Sequence, residues 1–349
     1  MKIVVLGLSI TSSWGNGHAT NYRALLGALG ARGHEILFLE RDVSWYAATR
    51  DFSASWVCLY SSFDELRDEH EDDVRSADLV LVGSYVPEGV AVGEWVLEAA
   101  GGATAFWDID TPVTADKLRR GDHEYVTPEL VRSYELYLSF TSGPLLEQLG
   151  AANPRPFHCM VDPHGYHPVA GDRRFALGYL GTYSADREAA VERLLLGPAR
   201  RLPRSRFVIG GPQYPGRDMW PSNVEHLEHV PPDEHPGFYG SQRLTLNVTR
   251  AAMVDAGWSP SVRLFEAAAC GVPVLSDWWP GLDAFFTPGT EILVADTTDE
   301  AVEVLGSVTD DELAAIAAAA RRRVLAEHTA ERRAEQLEEE VAALAGARV

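Results

Sequence analysis

The sequence predicts an α/β protein that contains two parallel sheets. Near its start, a β-branched run from Lys2 to Leu6 leads through a loop rich in Ser, Thr and Gly into a helix, Ala19 to Ala31, and then into a second strand, Glu35 to Leu39. A strand, a glycine loop, a helix and a strand in this order open a parallel sheet. The order begins again with a strand from Ala176 to Leu180, and 349 residues are enough for two domains of ordinary size.

Further apolar runs extend both predicted sheets. The strands expected in the first half are Ala77 to Val82, Ala103 to Trp107 and Leu136 to Phe140, and those expected in the second half are Arg206 to Ile209, Asn223 to His226, Leu244 to Val248 and Val272 to Leu275. The runs of the first half end in small, polar or turn-forming residues. Ligands bind at the carboxyl ends of the strands in doubly wound sheets, so we expect functional residues there.

The charge and the cysteines exclude several classes of protein. The chain has 51 acidic and 30 basic residues, a formal net charge of −21, which argues against binding to nucleic acid or to anionic membranes. Cys58, Cys159 and Cys270 lie far apart without metal-ligand spacing, so we expect buried free thiols. The N-terminus has no cleavage site, and no apolar run reaches transmembrane length. We therefore expect a cytoplasmic protein without an integral membrane segment.

The stretch from Trp258 to Gly289 carries the strongest functional signal. Ser261, which follows a proline, can begin a helix, because its hydroxyl can cap free amides. The helix is expected from Val262 to Cys270, with Arg263 in its first turn and Glu266 about one turn later. Helix N-termini attract anions. A cation beside a phosphate and an acid beside a sugar hydroxyl are what a nucleotide-sugar site requires.

This stretch resembles the C-terminal donor-binding motif of GT-B glycosyltransferases of the retaining, family-four type. The resemblance is closest to the spore-maturation (CgeB-like) group, which Ser12 to Ala19 with Tyr22-Arg23 and Asp108 to Pro112 also resemble. It implies the GT-B fold, with two facing Rossmann-like domains, a cleft between them, and a C-terminal helix that crosses back to the first domain. Phe157 to Pro168 looks like the interdomain segment of the family. The domains expected are therefore 1–168 on the acceptor side, 169–325 for the donor, and the helix 326–349.

The resemblance also implies roles for residues of the second half. Glu266 would hold the nucleotide ribose, although an acid buried between helices and paired with Arg would also explain it. Ser261, Val262 and Arg263 would surround the diphosphate. Gly181 begins the loop that takes the place of the family's phosphate-binding glycine loop. The loop ends at Arg187, where many relatives carry Lys. A guanidinium fork matches phosphate oxygens, although a helix surface would also explain Arg187.

One position departs from the family pattern. Many relatives have a second acid eight positions before the helix acid, and it contacts the transferred sugar. Here Trp258 stands at that position. The sequence therefore leaves open which sugar is transferred and whether turnover survives.

Candidates on the acceptor side lie in the first half. Gly15 and Gly17 flank Asn16 before the first predicted helix, where small residues let backbone amides approach a ligand. His18 follows and could orient the acceptor or a donor phosphate, or it could simply cap the helix. Asp110 could hydrogen-bond a sugar or acceptor hydroxyl, or it could cap a turn together with Asp108. We take His18 and Asp110 as the catalytic candidates.

Together these features predict a glycosyltransferase of the hexosyltransferase type (EC 2.4). It would move a sugar from a nucleotide-diphosphate-sugar donor to an unidentified small-molecule or glycan acceptor. By resemblance, the reaction retains anomeric configuration and needs no metal and no cofactor, although Asp108-Ile-Asp110 matches a metal-binding motif of the other glycosyltransferase fold. The alternatives are a nucleotide-sugar epimerase, a non-catalytic nucleotide-sugar-binding protein, and an NAD enzyme. For the NAD enzyme Glu40 is suitably placed, but Thr20 replaces the third glycine of the fingerprint.

Overall fold

The computed structural model describes residues 1–14 and 16–347 and divides into two compact units. The first unit consists of Met1–Met160 together with Ala330–Val349, and the second is the continuous segment Val161–Thr329. Both are α/β units with a parallel sheet, as the sequence predicts. The sequence-based limits after residues 168 and 325 both lie within the second unit of this division.

The first unit contains a sheet of seven parallel strands. These are β1 (Lys2–Gly7), β2 (Glu35–Arg41), β3 (Val57–Tyr60), β4 (Leu79–Gly83), β5 (Ala103–Asp108), β6 (Leu136–Ser139) and β7 (Pro154–Pro156). Their spatial order is β3-β2-β1-β4-β5-β6-β7, and every neighbouring pair is parallel. The central strands β1 and β4 are almost wholly buried, because their continuous apolar runs are covered on both faces.

Eight helices belong to the described part of this unit. They are α1 (Gly17–Ala31), α2 (Ser44–Ala47), α3 (Phe63–Ser76), α4 (Gly89–Ala99), α5 (Thr111–Arg119), α6 (Pro128–Ser133), α7 (Pro144–Gln148) and, from the end of the chain, α16 (Ala330–Ala347). The last of these packs against α1. Glu338 on α16 accepts two hydrogen bonds from Arg32, at 2.8 and 2.6 Å, and lies 2.6 Å from the His34 ring.

The second unit contains a sheet of six parallel strands. These are β8 (Phe175–Leu180), β9 (Phe207–Gly210), β10 (Val224–Leu227), β11 (Gln242–Asn247), β12 (Val274–Ser276) and β13 (Leu293–Val294), in the order β10-β9-β8-β11-β12-β13. Its helices are α8 (Ala185–Val191), α9 (Gly197–Arg201), α10 (His235–Gly240), α11 (Ala251–Ala256), α12 (Val262–Ala269), α13 (Leu282–Phe285), α14 (Thr298–Ser307) and α15 (Asp310–Glu327). A π-helical turn, Glu192–Leu196, joins α8 to α9.

The sequence pattern after Asp310 suggests helix to near the end of the chain, but the structure divides this region into α15 and α16. The break falls at His328 and Thr329. Val161 forms an isolated parallel bridge with Thr329, and its amide donates to the carbonyl oxygen of His328 at 3.0 Å. An extended pairing of this kind is incompatible with helical geometry, so the helix ends there. None of the described helices combines the length and the apolar character that crossing a bilayer would take.

Each sheet has a point at which the strand order reverses. In the first unit it lies between β1 and β4, and in the second between β8 and β11. The connections from these strands leave in opposite directions, which opens a crevice at the carboxyl ends of the strands. A ligand site is therefore expected among the residues that follow β1, β4, β8 and β11.

Candidate functional site

Arg263 spans the reversal point of the second sheet. Its Nε donates to the carbonyl oxygen of Leu180 at 2.6 Å, at the end of β8, and its Nη1 donates to Asn247 Oδ1 at 2.9 Å, at the end of β11. The guanidinium carbon lies 4.7 Å from the centre of the Tyr179 ring. Arg263, the predicted cation, is 7% exposed, and these contacts hold its guanidinium group in one orientation at the carboxyl edge of the sheet.

Arg263 reaches this place because α12 begins just before it. Ser261 is the N-cap with extended backbone (φ −77°, ψ 140°), and its side chain caps none of the described amides. Ser261 and Val262 are half-buried, whereas Leu264 and Phe265 are fully buried and anchor the helix. The first turn of α12 therefore keeps amides that no side-chain cap occupies, beside a fixed positive charge.

Gly181 lies directly against Arg263. A Cβ atom at this position would lie 2.9 Å from Arg263 Nη2, so a larger residue would displace the guanidinium. The Gly181 amide donates to the carbonyl oxygen of Gly210 at 2.8 Å, and its own carbonyl accepts from the Tyr214 hydroxyl at 2.9 Å. The loop after β8 is thus tied to the loop after β9, and Gly181 is required where backbone and guanidinium meet.

Arg187, in α8, turns back toward the same loop. Its Nη2 donates to the carbonyl oxygen of Thr182 at 2.9 Å, and its buried Nε has no hydrogen-bond partner among residues 1–14 and 16–347. Burial raises the pKa of Tyr214, and the charges of Arg187 and Arg263 oppose that shift. Both cations therefore lie within electrostatic range of one phenol, so the structure gathers two positive charges around Gly181.

Glu266 lies on α12 but faces a different set of side chains. It is 4% exposed, and its Oε2 accepts from the Tyr239 hydroxyl at 3.0 Å. Burial raises the pKa of Cys270 to about 12, and the charge of Glu266 adds to this shift. A carboxylate in an apolar helix needs a polar partner, and α10 supplies one through Tyr239.

A polar network at the ends of β11 and β12 supports Arg263 and was not foreseen from the sequence. Asn247 donates from Nδ2 to Ser276 Oγ at 2.9 Å, and the Ser276 hydroxyl lies 3.3 Å from the Asp277 carboxylate. Asp277 accepts from the amide and the hydroxyl of Thr249, and burial raises its pKa. Polar residues directly after two buried strands were the signal that could have identified this network.

Trp258 adopts a backbone conformation that is rare for an aromatic residue. Its φ is 45°, and its amide donates to the carbonyl oxygen of Pro280 at 2.7 Å. A Cβ atom on Gly281 would lie 2.6 Å from the indole ring, so Trp258 packs directly on the Gly281 backbone. Left-handed backbone at a bulky residue is strained and persists only where its neighbours enforce it.

On the first unit, His18 lies in the first turn of α1. Asn16 caps that helix, since its Oδ1 accepts from the His18 amide at 3.0 Å. Gly17 is exposed, with open space where a side chain would stand, whereas the predicted Gly15 lies outside the described residues. Burial of the ring lowers the pKa of His18 to about 4, so the imidazole is neutral at pH 7. Its Nδ1 has no hydrogen-bond partner in the described parts of the chain.

The two aspartates after β5 have different surroundings. Asp108 is fully buried and accepts from the hydroxyls of Tyr137, at 2.6 Å, and Thr114, at 2.7 Å; burial raises its pKa to about 6. Asp110 is the N-cap of α5 without a side-chain cap bond, and its Oδ2 accepts from the Tyr85 hydroxyl at 3.1 Å. The Asp110 amide donates to Asp108 Oδ1 at 3.3 Å, whereas the Asp110 side chain contacts Tyr85.

Tyr85 brings the two catalytic candidates of the first unit together. It follows β4, and its ring centre lies 5.5 Å from that of His18 while its hydroxyl contacts Asp110. Its φ of 64° is in the left-handed region, and the Tyr125 ring packs 4.6 Å away. Tyr85 is not among the residues predicted from the sequence, although an aromatic side chain just after a buried strand is a signal for such a site.

Glu40 does not serve as a free ribose ligand, so the structure removes the main support for the NAD alternative. Its carboxylate accepts from the Ser9 hydroxyl at 2.9 Å and from the amides of Ile10, at 2.7 Å, and Thr11, at 3.0 Å. Both oxygens are engaged and the side chain is fully buried. Glu40 therefore holds the loop after β1 in place.

Comparison with known families finds one match. Residues 187–339 match the family model described as glycosyl transferase-like (Glyco_trans_1_2). This range contains Arg187, Arg263 and Glu266, and it covers most of the second unit. A comparison with curated protein sequences finds no match.

Comparison with solved structures identifies the fold. The chain is similar to sucrose-phosphate synthase from Thermosynechococcus elongatus, with a TM-score of 0.72 and 14% identity over 99% of this chain and 100% of that one. It is similar to Anabaena Alr3699/HepE in complex with UDP-glucose, with a TM-score of 0.72 and 14% identity over 98% and 100% of the two chains. It is also similar to an alpha-glucosyltransferase (AGT) in complex with UDP, with a TM-score of 0.71 and 11% identity over 98% and 100%. These likenesses confirm the predicted GT-B fold with its two Rossmann-like domains.

Proposed function

We propose that the chain is a glycosyltransferase that uses a nucleotide-diphosphate-sugar donor bound by the second unit, with UDP-sugars as the first candidates. The observation that carries the proposal is Arg263, fixed across the reversal point of the sheet beside Gly181 and the first turn of α12. The glycosyl transferase-like match over residues 187–339 and the UDP complexes of structural neighbours support it.

The proposed chemistry depends on charge that develops on the leaving diphosphate. Preorganised donors aimed at such charge are usually the largest single contribution to catalysis. Arg263 is preorganised because Leu180 and Asn247 hold its guanidinium group, and the amides of α12 and Arg187 add further positive potential. Because these groups supply the positive charge, the proposed mechanism requires no metal and no cofactor.

Glu266 is the proposed ribose ligand. Its carboxylate holds one phenol hydrogen bond and can accept more, since two carboxylate oxygens offer about four acceptor sites. A ribose hydroxyl would donate to it in the same way as Tyr239 does. The neighbouring Arg263 would then hold the diphosphate of the same nucleotide.

The acceptor is assigned to the first unit, where His18, Tyr85 and Asp110 meet. Asp110 would orient the acceptor hydroxyl, and the neutral His18 can donate or accept one hydrogen bond at pH 7. Following the resemblance to the retaining CgeB-like group, the transfer would retain anomeric configuration, and the leaving phosphate would take the acceptor proton. His18 and Asp110 would then position groups and would not act as the base.

Isothermal titration calorimetry of the full chain with UDP, GDP, ADP and TDP tests the donor assignment. We expect one of the four, UDP first, to bind at micromolar concentration, and Arg263→Lys to weaken it because a point charge replaces the planar fork. Arg206→Lys, at an exposed site that pairs with Glu225, is the matched control and keeps wild-type affinity. If none of the four nucleotides binds to the wild-type protein, the proposed function is wrong.

Turnover is measured separately with the nucleotide that binds. Its glucose conjugate is incubated with the protein, and release of the nucleoside diphosphate is followed with water as the acceptor. Slow hydrolysis that Arg263→Lys abolishes is the expected result. If the protein binds the sugar conjugate but releases no nucleoside diphosphate, even with a panel of glycan acceptors, the protein is a binding protein and the enzymatic part of the proposal is contradicted.

A further inference from the structure

A buried cluster of polar side chains lies beneath the face of α12 that carries Glu266. It consists of Tyr166, His235 and Tyr239 around the carboxylate, and none of the three entered the sequence-based site. Tyr239 is fully buried, and Tyr166 is 8% exposed. Buried polar groups are costly unless each one has a partner, so the hydrogen positions in this cluster are constrained.

The hydrogens of the cluster can be assigned from its acceptors. His235 Nε2 lies 3.1 Å from the carbonyl oxygen of Val230, and a carbonyl can only accept, so this nitrogen carries the hydrogen. Burial lowers the pKa of His235, which keeps the ring neutral at pH 7. Its Nδ1 is then an acceptor, and it lies 3.0 Å from the Tyr166 hydroxyl.

A phenol has a single hydrogen to donate. Burial and the nearby charge of Glu266 raise the pKa of Tyr166, so its hydroxyl lies close to that carboxylate and keeps its hydrogen. The contact with regular hydrogen-bond geometry is the one to His235 Nδ1, and it engages this hydrogen. Among the residues that the structure describes, the Tyr239 hydroxyl has no competing acceptor, and it lies 3.0 Å from Glu266 Oε2. Burial and the charge of Glu266 raise the pKa of Tyr239 far above its ordinary value, so this hydroxyl keeps its hydrogen.

We infer that Tyr239 is the positioning residue for Glu266, and that this pair makes the site selective for ribonucleotides over deoxyribonucleotides. The inference rests on the proposed function, because it requires that Glu266 accept from a ribose hydroxyl. With Oε2 held by Tyr239, the carboxylate has a fixed orientation toward the ligand. A nucleotide that lacks the 2′-hydroxyl leaves this buried acceptor with one partner fewer, which weakens binding.

The test compares UDP with 2′-deoxyuridine 5′-diphosphate by calorimetry on the full chain. We expect the wild-type protein to bind UDP about tenfold to a hundredfold more tightly, the range for one hydrogen bond to a charged group. In Tyr239→Phe the ratio of the two affinities falls to within about threefold, because the carboxylate loses its fixed orientation. Glu266→Gln lowers the ratio in the same way.

Two further variants separate positioning from a general loss of structure. Tyr166→Phe keeps the wild-type ratio, because the hydrogen it removes is engaged by His235. Tyr60→Phe removes a buried hydroxyl from the first unit and changes neither affinity. The inference is overturned if Tyr239→Phe keeps the wild-type ratio of UDP to deoxy-UDP affinity, or if Tyr166→Phe loses it. Either result leaves the proposed function intact. A wild-type protein that binds neither nucleotide contradicts the proposed function itself.

Discussion

Replacing Arg263 by methionine tests how the carboxyl edge of the second sheet is held. The substitution keeps much of the side-chain volume but removes both hydrogen bonds, at 2.6 and 2.9 Å, and the contact with the Tyr179 ring. Each hydrogen bond from a charged group contributes about 1.5–3 kcal/mol, and the ring contact about 1 kcal/mol. Part of this is offset because a buried charge disappears, so we expect a net loss of about 3 kcal/mol.

The loss is measurable as a change in melting temperature. In a unit of about 150–250 residues, 1 kcal/mol corresponds to about 2–4 °C, so Arg263→Met lowers the transition of the second unit by about 6–12 °C. Differential scanning calorimetry of the full chain measures it. Below that transition, donor turnover is expected to fall about 10²–10³-fold, the usual effect of removing one stabilising donor.

Arg206→Met is the matched control for this experiment. Arg206 also lies over an aromatic ring, 5.0 Å from the centre of Phe175, and pairs with Glu225, but its side chain is 54% exposed. Such a pair contributes less than about 1 kcal/mol, so the control keeps the wild-type transition within a few degrees. If the second unit of Arg263→Met unfolds at the same temperature as that of Arg206→Met, the two hydrogen bonds do not hold the strand ends and the reasoning is wrong.

Three further predictions concern the first unit. Burial raises the pKa of Asp108 from 3.8 to about 6, so the contribution of Asp108 to stability falls as pH rises through this window, by up to about 3 kcal/mol. Urea unfolding of the wild type and Asp108→Asn at pH 4 and pH 8 measures this: the change in stability between the two pH values should differ between the proteins by about that amount, and an equal change in both would refute the reasoning. Glu338→Gln causes a small, salt-sensitive loss of stability, because hydrogen bonds from Arg32 and His34 lower the pKa of Glu338 to about 2. The stability that Glu338 contributes is present above pH 4.5 and is lost as pH falls toward 2. Equal urea midpoints for the wild type and Glu338→Gln at pH 6 would refute this prediction. The imidazole of His18 titrates with a midpoint near pH 4 in NMR spectra, and a midpoint near 6.5 would show that the ring is exposed to water.

The sequence predicts the central strands of both sheets well, because a strand buried on both faces needs a continuous apolar run. β1 and β8 are found within one residue of their predicted limits, and α12 within one residue of its predicted end. Three short strands, β3, β7 and β13, are not predicted from the sequence. β13 has two residues, and β7 contains Pro154 and Pro156, which normally argue against a strand and are tolerated here at the edge of the sheet.

The side chains of the site could be predicted only in part. Arg263 and Gly181 were identified because they lie in local motifs, and the structure shows them in contact. Tyr85 and Asp277 follow buried strands, which is a local signal for a site, but the partners of Tyr85, Asp277 and Tyr239 are neighbours distant in sequence. Such neighbours are set by strand order, which no local pattern encodes.

The division of the chain has a consequence for synthesis. The strands of the first unit are made before the second unit, but α16, which packs against α1, is made only after the whole of Val161–Thr329. Domains fold as units while translation proceeds. The second unit can therefore finish folding while the first still lacks α16, and a premature stop near residue 329 would leave an intact second unit attached to an incomplete first unit.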